Sequence, residues 1–194
     1  MSADGAPHTD DGHYILIHGR RWRASDPSIP GGLRQELVDE LMSARRAVKD
    51  REAGARERVS DAKTALGERG APWWDKPSAE DRQRRIVATA NALLRHRVDK
   101  SICPSDVARA VGGGHWRDLM VVVRESIGQE VRSGRLQSTQ RGNAVEVTSV
   151  RGPVRISKGV RFDVGAPTAA RMNNEPPPPN ASRPEDERHQ SNDS

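Results

Sequence analysis

The chain has 194 residues, of which 34% are hydrophobic and only 3% aromatic, and its formal net charge is +5. This apolar content is low for one compact core of that length, so we expect part of the chain to lie outside a core. No apolar run approaches the ~20 residues of a membrane span, and the first residues lack the basic start and apolar stretch of a secretory signal. We therefore expect a cytoplasmic protein without a membrane partner.

Positive charge is concentrated in one part of the sequence. Residues 79–160 hold 15 basic and 8 acidic side chains, a balance of +7, whereas residues 1–78 hold 13 of each. Residues 161–194 hold 4 basic and 6 acidic side chains. An anionic partner is therefore expected to bind within residues 79–160.

Both ends of the chain are predicted to be disordered. Residues 1–12 are polar and rich in Gly and Asp, and residues 164–194 contain four consecutive prolines and almost no apolar side chain. Such segments cannot bury enough surface to offset the entropy lost on ordering. A proline-rich ligand for a partner domain is the functional alternative for residues 164–194.

Residues 13–75 form an N-terminal region that begins with a predicted β-hairpin. The segment "YILIHGRRWR", Tyr14–Arg23, has two β-rich runs on either side of His18-Gly19, where glycine readily supplies a positive φ. We expect Trp22 to pack this hairpin onto the helices that follow. The roles of Trp73 and Trp74, in the joining segment "GAPWWDKPS", are left open by the sequence.

An amphipathic helical pattern runs from residue 33 to residue 66. Apolar residues recur at spacings of three and four, and the pattern is interrupted near Ala53-Gly54. The segment is therefore one long helix or an antiparallel pair folded at Gly54. It packs on its own chain, or it serves as a homodimer or protein-partner interface through residues 33–66.

Residues 79–160 have the pattern of three helices followed by a β-hairpin. Ser78 is a predicted N-cap, and acidic residues follow it in the first turn, where the helix dipole favours them. Pro104 is placed in the first turn of the second helix, and Gly112, Gly113 and Gly114 end that helix.

Apolar residues at Trp116, Leu119, Met120, Val123, Ile127 and Val131 predict the third helix. Strands are predicted over 136–139, 144–147 and 152–157, with a turn at Arg141-Gly142-Asn143. This order of elements is that of a winged helix-turn-helix domain, so the fold is expected to be mainly α with a small β-hairpin wing. The glycines then form a turn, since a phosphate-binding loop would need Lys and Ser or Thr after them.

The segment also resembles a known family. "ICPSDVARAVGGGHWRDLM", "GRLQSTQRGNAVE" and "RGPVRIS" are similar to a bacterial winged-helix family catalogued as domain of unknown function 3253, over roughly residues 84–158. The resemblance implies a fold and supplies no activity, ligand or catalytic residue.

The predicted partner is duplex DNA, and the protein is expected to act as a transcriptional regulator or nucleoid-associated factor. In a winged helix the third helix enters the major groove and the wing reaches the flanking backbone. Arg117 and Arg124, two turns apart, are candidate base or phosphate contacts, because arginine matches guanine O6 and N7. Val121 lies between them and is a candidate contact to a thymine methyl group.

The remaining candidate DNA contacts flank the third helix. Arg109 and His115 lie near the helix-turn-helix corner and are predicted to meet phosphates. Arg135, Arg141 and Arg151 are predicted wing contacts. Gly142 permits the tight tip of the wing.

No enzyme is predicted, and neither a cofactor nor a metal. The six histidines show no recurrent ligand spacing, and the chain has one cysteine, so no intrachain disulfide forms. Cys103, at a helix N-terminus near Lys100, is a minor candidate for a redox switch, and an inert thiol is the commoner outcome. The alternative function is a protein–protein interaction module that uses the winged-helix scaffold and the N-terminal helix without binding DNA.

Overall fold

The computed structural model describes residues 7–163, and the predicted disordered segments at 1–6 and 164–194 lie outside this range. The described part is mainly helical and contains two small antiparallel sheets, which confirms the mainly α prediction at this level. The elements, in chain order, are β1 Tyr14–Ile17, β2 Arg20–Arg23, α1 Gly31–Lys49, α2 Ala55–Ala65, α3 Ala79–His96, α4 Pro104–Gly112, a 3-10 helix Gly113–Leu119, α5 Met120–Arg132, β3 Leu136–Gln140, β4 Asn143–Ala144 and β5 Arg155–Lys158.

The N-terminal hairpin forms as predicted, and the residues that precede it also pair with its first strand. β1 and β2 pair antiparallel, and both residues of the connecting turn, His18 and Gly19, have positive φ. Residues 7–12, expected to be disordered, instead fold back along β1. The amide of Leu16 donates a hydrogen bond to the carbonyl of Pro7 at 2.9 Å. Residues 7–12 thus pair with backbone groups on the edge of β1 that β2 does not reach.

The helical segment is a pair of helices rather than one long helix. α1 ends at Lys49 and α2 begins at Ala55, after Gly54 has adopted the left-handed conformation that only glycine takes without strain. The Nε of Arg58 lies 2.9 Å from the buried carboxylate oxygen of Glu40, and this ion pair joins the two helices.

Helices α3 and α4 begin where local sequence predicts. The hydroxyl of Ser78 accepts a hydrogen bond from the amide of Asp81 at 3.0 Å, which confirms Ser78 as the N-cap of α3. Pro104 occupies the first position of α4. Arg97, just after α3, binds both Glu36 on α1 and Asp106 on α4, at 2.6 and 2.8 Å, so one guanidinium ties three helices together.

The predicted third helix is divided in the structure. Gly113–Leu119 forms a 3-10 helix with a kink at His115, and the α-helix begins only at Met120. The prediction of one helix from Trp116 was therefore wrong over its first turn. Apolar side chains spaced three apart suit a 3-10 helix as well as an α-helix, so the spacing did not separate the two.

The second sheet has the order β4-β3-β5, and an isolated bridge adds Ile102 to β5. β5 begins at Arg155, not at residue 152, and β4 is only Asn143–Ala144. The loop between β3 and β5, residues 141–154, crosses α5 and carries buried Val147 and Val154. This β3–β5 loop carries Arg141 and Arg151, and its carbonyls bind the guanidinium of Arg124.

One hydrophobic core is shared by the two halves of the described chain. It includes Leu37 and Leu41 of α1, Leu66 after α2, and Leu93 of α3, together with Ile156 of β5. Asp26, which precedes α1, forms a buried ion pair with Arg85 of α3 at 2.7 Å. Within residues 7–163, no helix is long and apolar enough to span a membrane.

Candidate nucleic-acid interface

A cleft on the second sheet brings three arginines together. We call it the arginine cleft, and its lining residues are Thr139, Gln140, Arg141, Arg151, Gly152, Pro153 and Arg155. The lining contains no carboxylate. Within the described residues none of the three arginines pairs with an acid, so the cleft is a site of uncompensated positive charge.

Backbone geometry and one amide side chain fix the shape of the arginine cleft. Arg141 and Gly142 both have positive φ, at 52° and 85°, and form the tip between β3 and β4. The side-chain amide of Gln140 donates to the carbonyls of Arg151 and Pro153 at 2.8 and 3.2 Å. This brace holds the two ends of the β3–β5 loop close together.

Sequence reasoning found Arg141, Gly142 and Arg151 but missed Arg155 and Gln140. Arg155 pairs in register with Thr139, which places it beside the tip. The signal available in the sequence was the alternation of "VRIS", in which the neighbours of Arg155 are buried and Arg155 is exposed.

Arg124 does not lie free on the exposed face of α5, where the sequence analysis placed it. It is half-buried, and its guanidinium donates to the carbonyls of Val147, Val150 and Gly152 at 2.7, 2.7 and 3.0 Å. The β3–β5 loop returns over this face of the helix and covers the side chain. In this structure Arg124 fastens the loop to α5.

Arg135 is also withdrawn from the surface. Its guanidinium lies 2.9 Å from the carboxylate of Glu130, and only 14% of its side chain is exposed. The chain turns back after α5 through Gly134, whose φ is 77°, so residues 130 and 135 meet. Arg135 is therefore paired, unlike the arginines of the arginine cleft.

A second basic cluster surrounds Trp116 in the 3-10 helix. The guanidinium carbons of Arg109 and Arg117 lie 4.8 and 4.5 Å from the centroid of the Trp116 ring, within range of a cation–π interaction. Both arginines are exposed and form no ion pair with the described carboxylates. His115 is exposed beside them. The indole thus orients two free cations.

Val121 on α5 is exposed as predicted, with 66% of its surface accessible.

The glycines between α4 and α5 explain why the chain is so compact there. A Cβ on Gly112 would lie 2.7 Å from Leu119, and one on Gly113 would lie 2.8 Å from Ser28, whereas Gly114 faces open space.

Cys103 lies at the N-terminus of α4 and is partly exposed. Arg155 approaches its sulfur at 3.5 Å, and the carboxylate of Asp106 accepts a hydrogen bond from its backbone amide at 3.2 Å. In the described part of the chain, no group of three His, Cys, Asp or Glu side chains is arranged to hold a metal ion.

Two comparisons with known proteins bear on this site. No curated protein matches the chain. A family model described as "Protein of unknown function (DUF3253)" matches residues 83–159, a range that holds both basic clusters. The match agrees with the resemblance inferred from the motifs, and it covers less than half of the chain.

Proposed function

We propose that residues 79–160 form a winged helix-turn-helix module that binds duplex DNA and acts as a transcriptional regulator or nucleoid-associated factor rather than an enzyme. The observation that carries the proposal is the arginine cleft, because three uncompensated guanidinium groups on a hairpin suit the phosphate backbone.

The order of elements supports the winged-helix assignment. α3, α4 and α5 are followed by antiparallel β3 and β5, and Ile102, between α3 and α4, bridges to β5. In winged helices the third helix lies in the major groove. By this analogy α5 presents exposed Val121 to the base edges.

Each basic cluster then has a role of its own. Arg141, Arg151 and Arg155 bind phosphates beside the groove. Arg109 and Arg117, oriented by Trp116, bind phosphates or guanine edges near the start of the third helix. Arg124 supports binding indirectly, because it holds the β3–β5 loop on α5.

Fluorescence anisotropy with a labelled 30-base-pair duplex of random sequence, at several salt concentrations, tests the proposal. Each phosphate contact adds about 0.9 to the steepness of log K against log salt. We expect Arg141→Ala/Arg151→Ala/Arg155→Ala to weaken binding and to flatten this slope by two to three units. The matched control removes three exposed arginines elsewhere, Arg34→Ala/Arg45→Ala/Arg56→Ala. Absence of salt-sensitive binding by the unaltered protein would overturn the proposal.

A further inference from the structure

The N-terminal hairpin Tyr14–Arg23 lies outside the family-matched segment and is rich in cationic and aromatic side chains. From Gly12 to Ser25 the sequence contains three arginines, two histidines, one tyrosine and one tryptophan, and no carboxylate. Arg20 and Arg21 are exposed and form no ion pair with a described acid. The hairpin is thus a basic projection that the function proposed above does not use.

Trp73 and Trp74 attach the base of this hairpin to the rest of the protein. The ring of His13 stacks on Trp74, with centroids 3.9 Å apart. The indole N–H of Trp73 donates to the carbonyl of Ala24 at 3.0 Å, and Arg23 donates to the carbonyl of Gly70 at 2.8 Å. These contacts hold the hairpin in one orientation without help from Trp22.

Trp22 remains exposed, contrary to the expectation that it packs the hairpin onto the helices. Its surface is 45% accessible. The ammonium of Lys63 lies 5.5 Å from the centroid of its ring, and Lys63 is itself 4.0 Å from the carboxylate of Glu68. An exposed indole on a well-anchored strand is available to stack on a ligand.

The strand register places a free cation on the same face as this indole. Ile15 is opposite Trp22, and Ile17 is opposite Arg20. Residues directly opposite in an antiparallel pair share a face, and so do residues two apart along a strand. Trp22, Ile17 and Arg20 therefore lie together, while Arg21 lies on the other face over the ring of Tyr14 at 4.4 Å.

We infer that this hairpin is a second nucleic-acid site, which takes an unpaired base of a single strand on Trp22 and the adjoining phosphate on Arg20, while Arg21, on the other face, adds to the positive charge that attracts the strand. Aromatic side chains bind bases of any sequence by stacking, and a cationic surface follows the backbone. A polyanion is the occupant that matches a hairpin whose two strands hold three arginines and no carboxylate. The inference stands independently of duplex binding by residues 79–160.

The test titrates the full-length protein into a labelled single strand of twenty thymidines at low salt. We expect Trp22→Ala to weaken binding about tenfold, as loss of one stacked base would, and Trp22→Phe to retain most of the affinity. Arg20→Ala/Arg21→Ala should weaken binding and reduce its salt dependence. Arg34→Ala/Arg56→Ala removes two exposed charges from α1 and α2 and is the matched control.

Two further measurements separate this inference from its alternatives. The triple variant of the arginine cleft should keep its affinity for the single strand while losing affinity for duplex, and circular dichroism should show that each variant melts as the unaltered protein does. The inference is overturned if Trp22→Ala and Arg20→Ala/Arg21→Ala bind the single strand as the control does. It is equally overturned if Trp22→Ala loses only its binding to phosphatidylglycerol vesicles, since that would identify a lipid surface as the ligand.

Discussion

Gly113 and Ser28 are in contact at the point where the N-terminal region meets the helical turn. A Cβ on Gly113 would lie 2.8 Å from the Cβ of Ser28 and 2.9 Å from its carbonyl oxygen. Gly113 also has a φ of +50°. Gly113 therefore lets a distant backbone segment approach the end of α4, where any larger residue would clash with it.

Gly113→Ala should destabilise the protein by about 2 kcal/mol or more, because it combines a strained φ with a clash against backbone. Urea unfolding measures this as a lower midpoint at constant slope. Gly114→Ala is the matched control, since a Cβ there meets nothing within 4 Å. Equal urea midpoints for the two variants would show that Ser28 does not pack closely against Gly113.

The second prediction concerns Arg124, whose guanidinium bonds three carbonyls of the β3–β5 loop. Arg124→Ala should increase amide hydrogen exchange across residues 147–152, because the loop loses its attachment to α5. Arg124→Lys should not restore protection, since an ammonium lacks the planar fork that reaches several acceptors at once.

Duplex binding distinguishes this bracing role from direct contact with DNA. If Arg124 acts as a brace, Arg124→Ala weakens binding while the salt slope stays the same. Arg117→Ala is the comparison, because Arg117 is exposed and unpaired with the described acids, and its loss should lower the slope by about 0.9. If the salt dependence of binding falls equally in both variants, Arg124 contacts a phosphate directly.

Sequence alone predicted those elements whose signals are local. The Ser78 cap, the turn at His18-Gly19 and the first position of α4 at Pro104 each depend on residues close together in the chain. The fate of Arg124 was not accessible in this way. Helical spacing assigns a residue to a face, but only tertiary structure shows that the β3–β5 loop covers that face.

The same reasoning applies to Trp22 and Trp73. Trp22 belongs to the predicted hairpin and Trp73 to the joining segment, and nothing local distinguishes the anchor from the exposed ring. The structure makes Trp73 the anchor because its indole N–H reaches the carbonyl of Ala24, 49 positions earlier in the chain. Contacts of that sequence separation leave no periodic signal, so the candidate site could be located from charge but not resolved into separate roles.

The third prediction concerns Trp116 as the residue that positions Arg109 and Arg117. Trp116→Leu should weaken duplex binding about two- to fivefold, the loss expected when cation–π contacts of 0.5–1 kcal/mol no longer orient the two guanidinium groups. Trp116→Phe should lose less, because the ring is retained. The salt slope should stay constant, since both charges remain. An affinity that follows thermal stability alone would assign Trp116 to the core only.

The last prediction concerns the buried pair Asp26–Arg85, which joins the N-terminal region to α3 at 2.7 Å. Asp26 is only 4% exposed and also accepts hydrogen bonds from the amide and hydroxyl of Ser28. Removing one partner of a buried pair leaves the other charge without a countercharge, so Arg85→Ala should cost about 3–5 kcal/mol of unfolding free energy.

Arg84→Ala is the control for this variant, because Arg84 is the adjacent residue on α3 and its ion pairs with Glu80 and Asp81 are exposed. Exposed pairs contribute about 0–1 kcal/mol, so the two neighbouring substitutions should differ severalfold in a urea unfolding experiment. The double variant Asp26→Ala/Arg85→Ala should be less destabilised than the sum of the single variants, because no charge is left buried. Similar losses for Arg84→Ala and Arg85→Ala would show that the N-terminal region is joined to α3 by apolar packing, with little contribution from this ion pair.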